Sequence, residues 1–410
     1  MPTLTKGNYI VEEMKTMELT KRQADFLELV KEGKNVFLTG NAGTGKSYVV
    51  KEAIKTLKEK GTKYVALAPT GIAANNIGGQ TIHSMFGLDP FGIMSYESCR
   101  FLKSSKRKVL QKVETFFIDE VSMLRPDILD AMNWTLTKNG LKGLKERQII
   151  FIGDLKQLPV VLNDNSRAIL YRDYNGETFQ SAKVFEKGVL TVETIELDEI
   201  VRQSDPEFIE NLNLIRNGEA KVPYFRKFIT DKPNNGVVLA AHNSTVERYN
   251  IDGLAAINSE EIVFTAKIKG TIKPEDFNLE SEIKLKQGCK IMYLVNSQNN
   301  PLRNGTLGKF ITIDGLHYIN VDGIDYKLDA YKFSKKEYVL NDKTQELELT
   351  DLGSIEQIPV KLAYALSIHK SQGLTFNEVT VDLTRPCFAN GQMYVALSRV
   401  TNPDGLAIIV

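Results

Sequence analysis

Residues 40–47, with the sequence GNAGTGKS, match the phosphate-loop pattern G-x-x-x-x-G-K-[ST]. Glycines in such a loop let backbone N–H groups approach phosphate oxygens, and the N-terminus of the following helix adds partial positive charge. Lys46 supplies a full positive charge, and the Ser47 hydroxyl is suited to bind Mg²⁺. A glycine-rich turn with a chance lysine is the alternative, but a strand-like run before the loop and a helix-forming run after it argue against that. We therefore predict a nucleoside triphosphate site formed by Gly40, Asn41, Ala42, Gly43, Thr44, Gly45, Lys46 and Ser47.

Two carboxylates and a glutamine follow strand-like runs further along the chain. Residues 116–118 are apolar, and Asp119 and Glu120 come directly after them. Asp119 could hold Mg²⁺ through water, and Glu120 could orient and deprotonate an attacking water molecule. An isolated Asp-Glu pair after a strand is more often a solvated turn, but the phosphate loop upstream favours the catalytic interpretation. Gln157, which follows the next strand, could hydrogen-bond the terminal phosphate and report its hydrolysis.

Two arginines in the second half of the chain would distinguish a motor from a simple triphosphatase. Charge that develops on a transferred phosphoryl group is stabilised by an arginine supplied across an interface. Arg202 lies in the string EIVRQ, and Arg399 lies in the string YVALSR. A surface arginine in an ion pair is the commoner fate of this residue type. Both arginines are therefore candidates for stabilising the transferred phosphoryl group, and their surroundings must decide between that role and a surface ion pair.

Strand-like runs alternate with helix-forming segments that must position these residues. Residues 64–68, 115–119 and 148–153 are apolar on both faces, as in a parallel sheet that helices cover on each side. We expect a first series to form an α/β lobe that ends near residue 184, and a second series to form another α/β lobe. The first series comprises residues 35–39, 64–68, 115–119 and 148–153, and the second comprises residues 191–197, 236–241, 378–382 and 406–410.

Two stretches interrupt this alternation. Between residues 260 and 357, short alternating segments are separated by Gly and Asn turns, which predicts a small β-rich barrel inserted into the second lobe. Residues 91–113 form a smaller insertion in the first lobe, in which six Lys or Arg accompany a single acid. There Phe91, Tyr96 and Phe101 could stack unpaired bases beside the basic run. From these residues alone, a solvated basic face over a small apolar core is the favoured alternative.

The composition is that of an ordinary globular protein of 410 residues. Lys and Arg total 52 against 51 Asp and Glu, and this near balance neither supports nor excludes a nucleic-acid partner. The three scattered cysteines offer neither a zinc cluster nor a disulfide framework and suit a reducing compartment. The N-terminus lacks the uncharged core of a signal peptide, and no apolar run is long enough to span a membrane. We therefore expect an intracellular soluble protein of two or more domains.

A set of motifs occurs in an order that resembles superfamily-one, type-B helicases, and most closely the petite-integration-frequency (Pif) family. The motifs are Gln23, the phosphate loop, and residues 68–71, 81–84, 119–123, 153–159, 202–203, 365–375 and 392–399. The segment 125–130, with the sequence RPDILD, resembles a signature of the Pif family itself. RecD-like and Dda-like helicases are the nearest relatives to weigh against it. The resemblance extends from Gln23 to Val400.

This resemblance implies two RecA-like lobes that bind ATP between them, with single-stranded DNA across their tops. It implies that Gln23 reads the adenine edge and that Lys46 and Ser47 hold phosphate and Mg²⁺. Asp119 and Glu120 would then act on the metal and on water. The residues expected to approach the γ-phosphate are Gln157, Arg202 and Arg399, together with Gln372 from the second lobe.

The resemblance also implies domain boundaries and DNA contacts. Residues 1–184 would form the first RecA-like lobe, with a wedge-like insertion at about 86–113. Residues 185–259 and 358–410 would form the second lobe, and residues 260–357 an SH3-like β-barrel inserted into it. The residues expected to contact the DNA strand are Pro69, Thr70, His83, His369, Lys370 and Ser371.

The function that follows is an ATP-dependent DNA helicase with DNA-stimulated ATPase activity. The resemblance, and no residue pattern, implies translocation from 5′ to 3′ on single-stranded DNA and unwinding of tailed or structured duplexes, G-quadruplexes among them. We expect ATP and Mg²⁺ as cofactors, no membrane partner, a monomer, and a cytoplasmic location associated with the nucleoid. An RNA or RNA–DNA hybrid motor is an open alternative. So is an ATP switch that clamps or remodels a nucleic-acid complex without unwinding it.

Overall fold

The computed structural model describes residues 19–41, 43–198, 205–219, 222–270, 272–277, 279–297 and 299–410. Helices and strands in these ranges are numbered in chain order. The α-helices are α1 (Lys21–Lys31), α2 (Lys46–Glu59), α3 (Gly71–Asn76), α4 (Ile82–Phe86), α5 (Ser104–Lys112), α6 (Pro126–Lys138), α7 (Asp164–Tyr174), α8 (Lys183–Glu186), α9 (Pro206–Arg216), α10 (Asn243–Ala255) and α11 (Gln392–Leu397).

The strands divide into those of the two lobes and those of the region between them. The strands of the lobes are β1 (Val36–Gly40), β2 (Tyr64–Ala68), β3 (Gln80–Thr81), β4 (Thr115–Ile118), β5 (Gln148–Ile152), β6 (Glu193–Leu197), β7 (Val237–Ala240), β18 (Ala365–Ser367), β19 (Val379–Asp382) and β20 (Leu406–Ile409). The others are β8 (Glu261–Thr265), β9 (Lys267–Lys269), β10 (Glu282–Lys286), β11 (Lys290–Tyr293), β12 (Leu307–Ile313), β13 (Leu316–Val321), β14 (Ile324–Lys327), β15 (Tyr331–Leu340), β16 (Leu347–Gln357) and β17 (Val360–Leu362).

The first sheet has the strand order β3-β2-β4-β5-β1-β6, and all its pairings are parallel. Every residue of β4 is buried, because helices cover both faces of the sheet. Successive side chains of a strand point to opposite faces. Phe117 accordingly packs with Phe26 of α1 and Val49 of α2, while Phe116 packs with Leu129 of α6 on the other face. The carboxyl ends of these parallel strands therefore share one edge, where the phosphate loop and the acid pair lie.

Strand β6 corrects one prediction, because the sequence placed residues 191–197 in the second lobe. In the structure β6 pairs in parallel with β1, from Val36 opposite Glu193 to Gly40 opposite Leu197. It is an edge strand in which Ile195 and Leu197 are buried and the other three residues are exposed. A strand's pattern records which of its faces is covered but not which sheet it joins, so this assignment needed tertiary structure. The first sheet thus continues beyond the predicted boundary at residue 184.

The second sheet has the order β18-β7-β19-β20, again with parallel pairings throughout. Leu239 and Val381 from its strands pack with Val395 of α11 in one apolar core. Its first strand, β18, lies inside the string 365–375 that the sequence marked only as a motif. The predicted fold class, two parallel-sheet lobes with a β-rich insertion, is confirmed.

Between β7 and β18 the chain forms antiparallel sheets. Their orders are β14-β13-β12-β11-β17, β15-β16-β9 and β10-β8. Ile291, Phe310 and Ile319 form the centre of the largest one. Because β17 pairs with β11, this antiparallel region reaches residue 362, beyond the predicted end at residue 357.

The hairpin of β15 and β16 extends from the insertion to the first lobe. The hydroxyl of Tyr338 accepts a hydrogen bond of 3.0 Å from the backbone N–H of Ala66, and Tyr338 N donates to Gln80 Oε1 over 3.0 Å. Burial raises the pKa of Tyr338 to about 12. Lys63 forms an ion pair with Glu346 at the tip. The hairpin therefore connects the insertion to the edge of the first sheet. In the described ranges no helix has the length and apolar character needed to cross a membrane.

Candidate nucleotide and nucleic-acid sites

The phosphate loop follows β1 and leads into α2, as the pattern predicts. Gly40, Gly43 and Gly45 have backbone φ angles of 147°, 85° and 83°, which residues other than glycine rarely adopt. A Cβ on Gly40 would lie 2.5 Å from the carbonyl oxygen of Leu197 in β6. Glycine is therefore required where the loop begins. Ala42, the remaining predicted loop residue, lies outside the described residues.

Lys46 and Gln23 both lie against this loop. Lys46 Nζ donates to the carbonyl oxygens of Gly40, over 2.8 Å, and Asn41, over 2.9 Å. Gln23 is buried, and its Nε2 is so close to Gly45 that a Cβ there would approach it to 2.8 Å. Its Oε1 accepts from the backbone N–H of Thr20, in a capping box at the start of α1. The structure thus brings the predicted adenine-reading glutamine to the phosphate loop.

The predicted acid pair lies at the end of β4. Glu120 has a left-handed backbone with φ 51°, and its N–H donates to Asp119 Oδ1 over 2.9 Å. Burial and the neighbouring Asp119 carboxylate raise the pKa of Glu120 to about 7, against the opposing charges of Lys46 and Arg399. Burial also raises the pKa of Asp119, whereas the hydrogen bond from the Glu120 N–H and the charge of Lys46 lower it. A carboxylate with a pKa near neutrality is well matched to accepting a proton from water.

Gln372 joins this pair from the second lobe. Its Nε2 donates to Glu120 Oε2 over 3.1 Å and to Gln157 Oε1 over 3.4 Å. Gln372 follows the 3₁₀ turn His369–Ser371 after β18, whereas Glu120 and Gln157 follow β4 and β5 of the first sheet. The structure therefore brings together predicted residues from both lobes in one cleft.

Arg399 is fixed on the second-lobe side of the same cleft. It is 1% exposed, and its guanidinium donates to the carbonyl oxygens of Val395 and Leu374 and to Ser398 Oγ, over 2.8, 3.1 and 2.8 Å. Its positive charge lowers the pKa of Glu120. The other predicted arginine, Arg202, lies outside the described residues.

Two contacts between α9 and the first lobe escaped the sequence analysis. Arg216 forms a buried ion pair of 3.1 Å with Asp154, which follows β5. Asn213 Oδ1 accepts from Asn41 Nδ2 in the phosphate loop over 3.0 Å. These partners are far apart in the chain, and no local spacing or periodicity indicates them. Through them α9 contacts the loops that carry both Lys46 and Gln157.

The residues around the loop fit a magnesium triphosphate. The glycines permit the positive φ angles of the loop, Lys46 and the N-terminus of α2 supply positive charge, and Ser47 lies in the first turn of that helix. Across the described ranges no group of three or more His, Cys, Asp or Glu could hold a metal by itself. Mg²⁺ binds in nucleotide sites through one or two protein oxygens together with phosphate and water. Ser47 and Asp119 would hold it, and the ion would neutralise developing negative charge.

On the first lobe, Pro69, Thr70 and His83 line one cleft of about 510 Å³. Thr70 Oγ1 accepts from Ala73 N and caps α3, and burial followed by the charge of Arg125 lowers the pKa of His83. The opposite wall comes from the antiparallel region, in particular Glu275, Asp276, Phe277, Lys335 and Lys336. Sequence reasoning missed this wall, because it assigned the insertion to the second lobe alone.

On the second lobe, His369, Lys370 and Ser371 form the turn after β18. Lys370 is exposed, and burial lowers the pKa of His369. Ser371 is fully buried, and its hydroxyl donates to the carbonyl oxygen of Ile368 over 2.8 Å. We therefore revise the interpretation of the Ser371 side chain, because it stabilises the turn and is not presented to a ligand.

The basic insertion of the first lobe has a buried apolar side and exposed aromatic rings. Val109 and Leu110 of α5 join the first-lobe core, whereas Phe91 is 93% and Phe101 77% exposed. Lys138 of α6 lies over the ring of Tyr96, 5.0 Å from its centre. The region thus has an apolar core on its inner side and exposed aromatic rings beside basic side chains, and the binding of unpaired bases there stays a prediction.

A phosphate loop on one parallel-sheet lobe that faces a second such lobe defines a two-lobed P-loop nucleoside triphosphatase. A family model of PIF1-like helicases matches residues 18–224. The chain is 30% identical to the ATP-dependent DNA helicase Pif1 of Campylobacter jejuni, over 94% of this chain and 90% of that relative. The chain therefore belongs to the PIF1-like helicase family.

Solved structures agree with this assignment. The crystal structure of Bacteroides sp Pif1 in complex with ADP-AlF4 has a TM-score of 0.84 and 34% identity, and the match covers 96% of this chain and 92% of that one. The crystal structure of Bacteroides Pif1 bound to ssDNA has a TM-score of 0.68 and 35% identity, with the same coverage. The chain is thus similar over nearly its whole length to helicases of this family.

Proposed function

We propose that this protein is an ATP-dependent DNA helicase that moves 5′ to 3′ along single-stranded DNA and unwinds tailed or structured duplexes. The observation that carries an ATP-driven motor is the contact of Gln372 with Glu120 across the cleft, and the direction of movement rests on the resemblance to the Pif family. Because the two residues belong to different lobes, relative movement of the lobes changes the surroundings of the carboxylate that acts on water. Hydrolysis and lobe movement are thereby coupled, as a motor requires.

The residues divide the chemical work between the lobes. Lys46 binds and orients the terminal phosphates, and Ser47 with Asp119 would hold Mg²⁺. Glu120 orients the attacking water and accepts its proton. Gln157, Arg202 and Arg399 contact the γ-phosphate, where positive charge stabilises the transition state. Pro69, Thr70, His83, His369 and Lys370 hold the strand. The relatives' description as ATP-dependent DNA helicases supports DNA as the substrate.

A strand-separation assay tests the proposal, using 5′-tailed, 3′-tailed and blunt DNA duplexes with ATP and Mg²⁺. We expect unwinding of the 5′-tailed duplex alone, and loss of activity when EDTA removes Mg²⁺. Lys46→Ala removes the phosphate-binding charge and should abolish both hydrolysis and unwinding. Lys55→Ala, at an exposed position of α2, is the matched control and should behave as wild type.

The alternative outcomes separate the rival functions. Unwinding of the 3′-tailed duplex alone would refute the proposed polarity. DNA-stimulated hydrolysis without any unwinding would favour the ATP switch, and ATPase activity indifferent to single-stranded DNA would refute a DNA motor. Parallel substrates with RNA tails or a G-quadruplex test the proposed DNA preference and the unwinding of structured DNA.

We also infer that the protein is a monomer. We infer further that it associates with the nucleoid in the cytoplasm, because a helicase acts where DNA is. Light scattering after size-exclusion chromatography should give the mass of one chain. A fluorescent fusion should overlap with a DNA stain in the cell. A dimer mass, or fluorescence separate from the DNA, would contradict the respective inference.

A further inference from the structure

The turn that follows β5, residues 154–158, lies between the two lobes and carries Gln157. The backbone N–H of Lys156 donates to the carboxylate of Asp154, and that of Gln157 donates to the carbonyl oxygen of Asp154, each over 3.0 Å. Leu155 packs against the core of the first lobe, whereas Leu158 is fully buried in the core of the second lobe. The turn is therefore anchored in both cores.

Arg216 ties the carboxylate of this turn to α9. The helix belongs to the second lobe, because Phe208 and Leu212 pack in its core. At the end of α9, Arg216 Nε and Nη2 donate to the two carboxylate oxygens of Asp154 over 3.3 and 3.1 Å. The side chains of Arg216 and Asp154 are only 10% and 1% exposed. A paired contact of this kind fixes orientation as well as distance, and burial limits its screening by salt.

Two further contacts hold the turn from the second lobe. A Cβ on Gly391, the residue before α11, would lie 2.7 Å from the carbonyl oxygen of Lys156 and 2.9 Å from that of Gln157. The start of α11 therefore lies directly against the backbone of the turn. Gln372 Nε2 also donates to Gln157 Oε1 over 3.4 Å. The second lobe thus contacts both the backbone and the side chains of a first-lobe turn.

We propose that Arg216 is a positioning residue for ATP hydrolysis, which makes the turn 154–158 follow the second lobe. When the lobes close, Arg216 carries Asp154 inward and Gln157 reaches the γ-phosphate. When the lobes separate, the same ion pair withdraws Gln157, so that hydrolysis depends on the arrangement of the lobes. The proposal rests on the proposed function, because it requires Gln157 to contact the γ-phosphate.

Steady-state ATP hydrolysis with saturating single-stranded DNA tests the role of Arg216. Arg216→Ala should lower kcat by up to roughly hundredfold, because misplacing a group by about 1 Å can cost that much, and should change the KM for ATP far less. Arg216→Lys keeps the charge but cannot bond both oxygens in the same way, so its kcat should be intermediate. Glu210→Ala, at an exposed position of α9, is the matched control. A raised KM with wild-type kcat in Arg216→Ala would overturn the proposal.

A double-mutant cycle separates positioning from a merely structural role. Gln157→Ala removes the group that Arg216 positions, so adding Arg216→Ala to it should lower kcat no further. If Arg216 were only structural, the two losses would multiply in the double variant, and that result would overturn the proposal. Circular dichroism verifies that each variant is folded at the assay temperature. Arg216→Lys, which retains the ion pair, takes the place of Arg216→Ala in the cycle if the alanine variant is unfolded.

The outcomes also separate this inference from the helicase proposal. Losses that multiply in the double variant, together with normal unwinding by the wild type, overturn the positioning role alone. Wild-type protein that hydrolyses ATP in response to DNA but separates no strands overturns the helicase proposal, and the cycle still decides the role of Arg216. Wild-type kcat in Gln157→Ala would refute the contact with the γ-phosphate on which the positioning role depends.

Discussion

At the nucleotide site, predicted residues from both lobes meet in one cleft, whereas the predicted DNA-contacting residues lie in two separate places. Glu120 accepts a hydrogen bond from Gln372 and is influenced by the charge of Lys46. Pro69 and His83 instead line a first-lobe cleft, and His369 lies in a second-lobe turn. A phosphoryl transition state needs charges fixed around one atom, but a long strand can be held by many weak contacts. We therefore expect single substitutions to have large effects on ATP hydrolysis at the nucleotide site. Single substitutions among the predicted DNA-contacting residues should have small effects on DNA binding.

The largest effect should come from Glu120→Gln. The amide cannot accept a proton from water, so kcat should fall by about 10²- to 10⁴-fold while ATP binding persists. Phosphate release gives the rate, and a fluorescent nucleotide gives the affinity. Glu59→Gln, at the exposed end of α2, is the control. Wild-type turnover by Glu120→Gln would remove this residue from the chemistry.

The next largest effect should come from removing the ion pair between Arg216 and Asp154, which connects the two lobes. Arg216→Ala leaves the carboxylate of Asp154 buried without its cationic partner, which should lower the free energy of unfolding by about 3 kcal/mol. Urea unfolding followed by circular dichroism measures this loss. Arg172→Ala breaks an exposed ion pair with Asp173 and should have a far smaller effect. Equal losses in the two variants would mean that α9 does not stabilise the cleft.

The hairpin that reaches the first lobe can be tested by Tyr338→Phe. Without the hydroxyl, the N–H of Ala66 is buried and unsatisfied, so the free energy of unfolding should fall by about 1–3 kcal/mol. Hydrogen exchange at Ala66 should accelerate, which locates the effect. Tyr171→Phe, at an exposed position, should change neither quantity. Unchanged exchange at Ala66 would contradict the role of this hydrogen bond.

The smallest effect is expected at the first-lobe cleft. Asp276 lies in its wall and pairs with Lys335 over 3.1 Å. Asp276→Asn removes a negative charge facing the proposed strand and should tighten binding about two- to fivefold at low salt, with the gain lost at high salt. Anisotropy titrations at two salt concentrations measure it. Glu186→Gln removes a distant exposed charge and should leave the affinity unchanged. A gain that persists at high salt would contradict an electrostatic origin.

Local chemistry explains what sequence reasoning could anticipate. The phosphate loop depends on glycines with positive φ inside one short segment, so its residue types and spacing are enough to recognise it. Asp119 and Glu120 could equally be predicted from the sequence, because carboxylates at the end of a buried strand lie at a predictable sheet edge. Strand β6 was assigned to the wrong lobe, since its alternation does not identify its neighbour.

Other parts of the sites depend on distant partners. Nothing near Arg216 indicates Asp154, and nothing near Asn213 indicates Asn41. The burial of Ser371 follows from how its turn packs on the second sheet and not from the motif that contains it. The wall that Asp276 and Lys335 add to the first-lobe cleft depends on where the insertion docks.

The sequence by itself determined the phosphate loop, the acid pair and the alternation of two parallel-sheet lobes, because backbone dihedral angles and strand periodicity are local properties. Only the tertiary structure decided that β6 completes the first sheet, that Gln372 contacts Glu120, and that Arg216 pairs with Asp154. It also produced the raised pKa of Glu120, since burial and neighbouring charges come from the folded chain. Contacts between distant segments depend on packing, which no local pattern records.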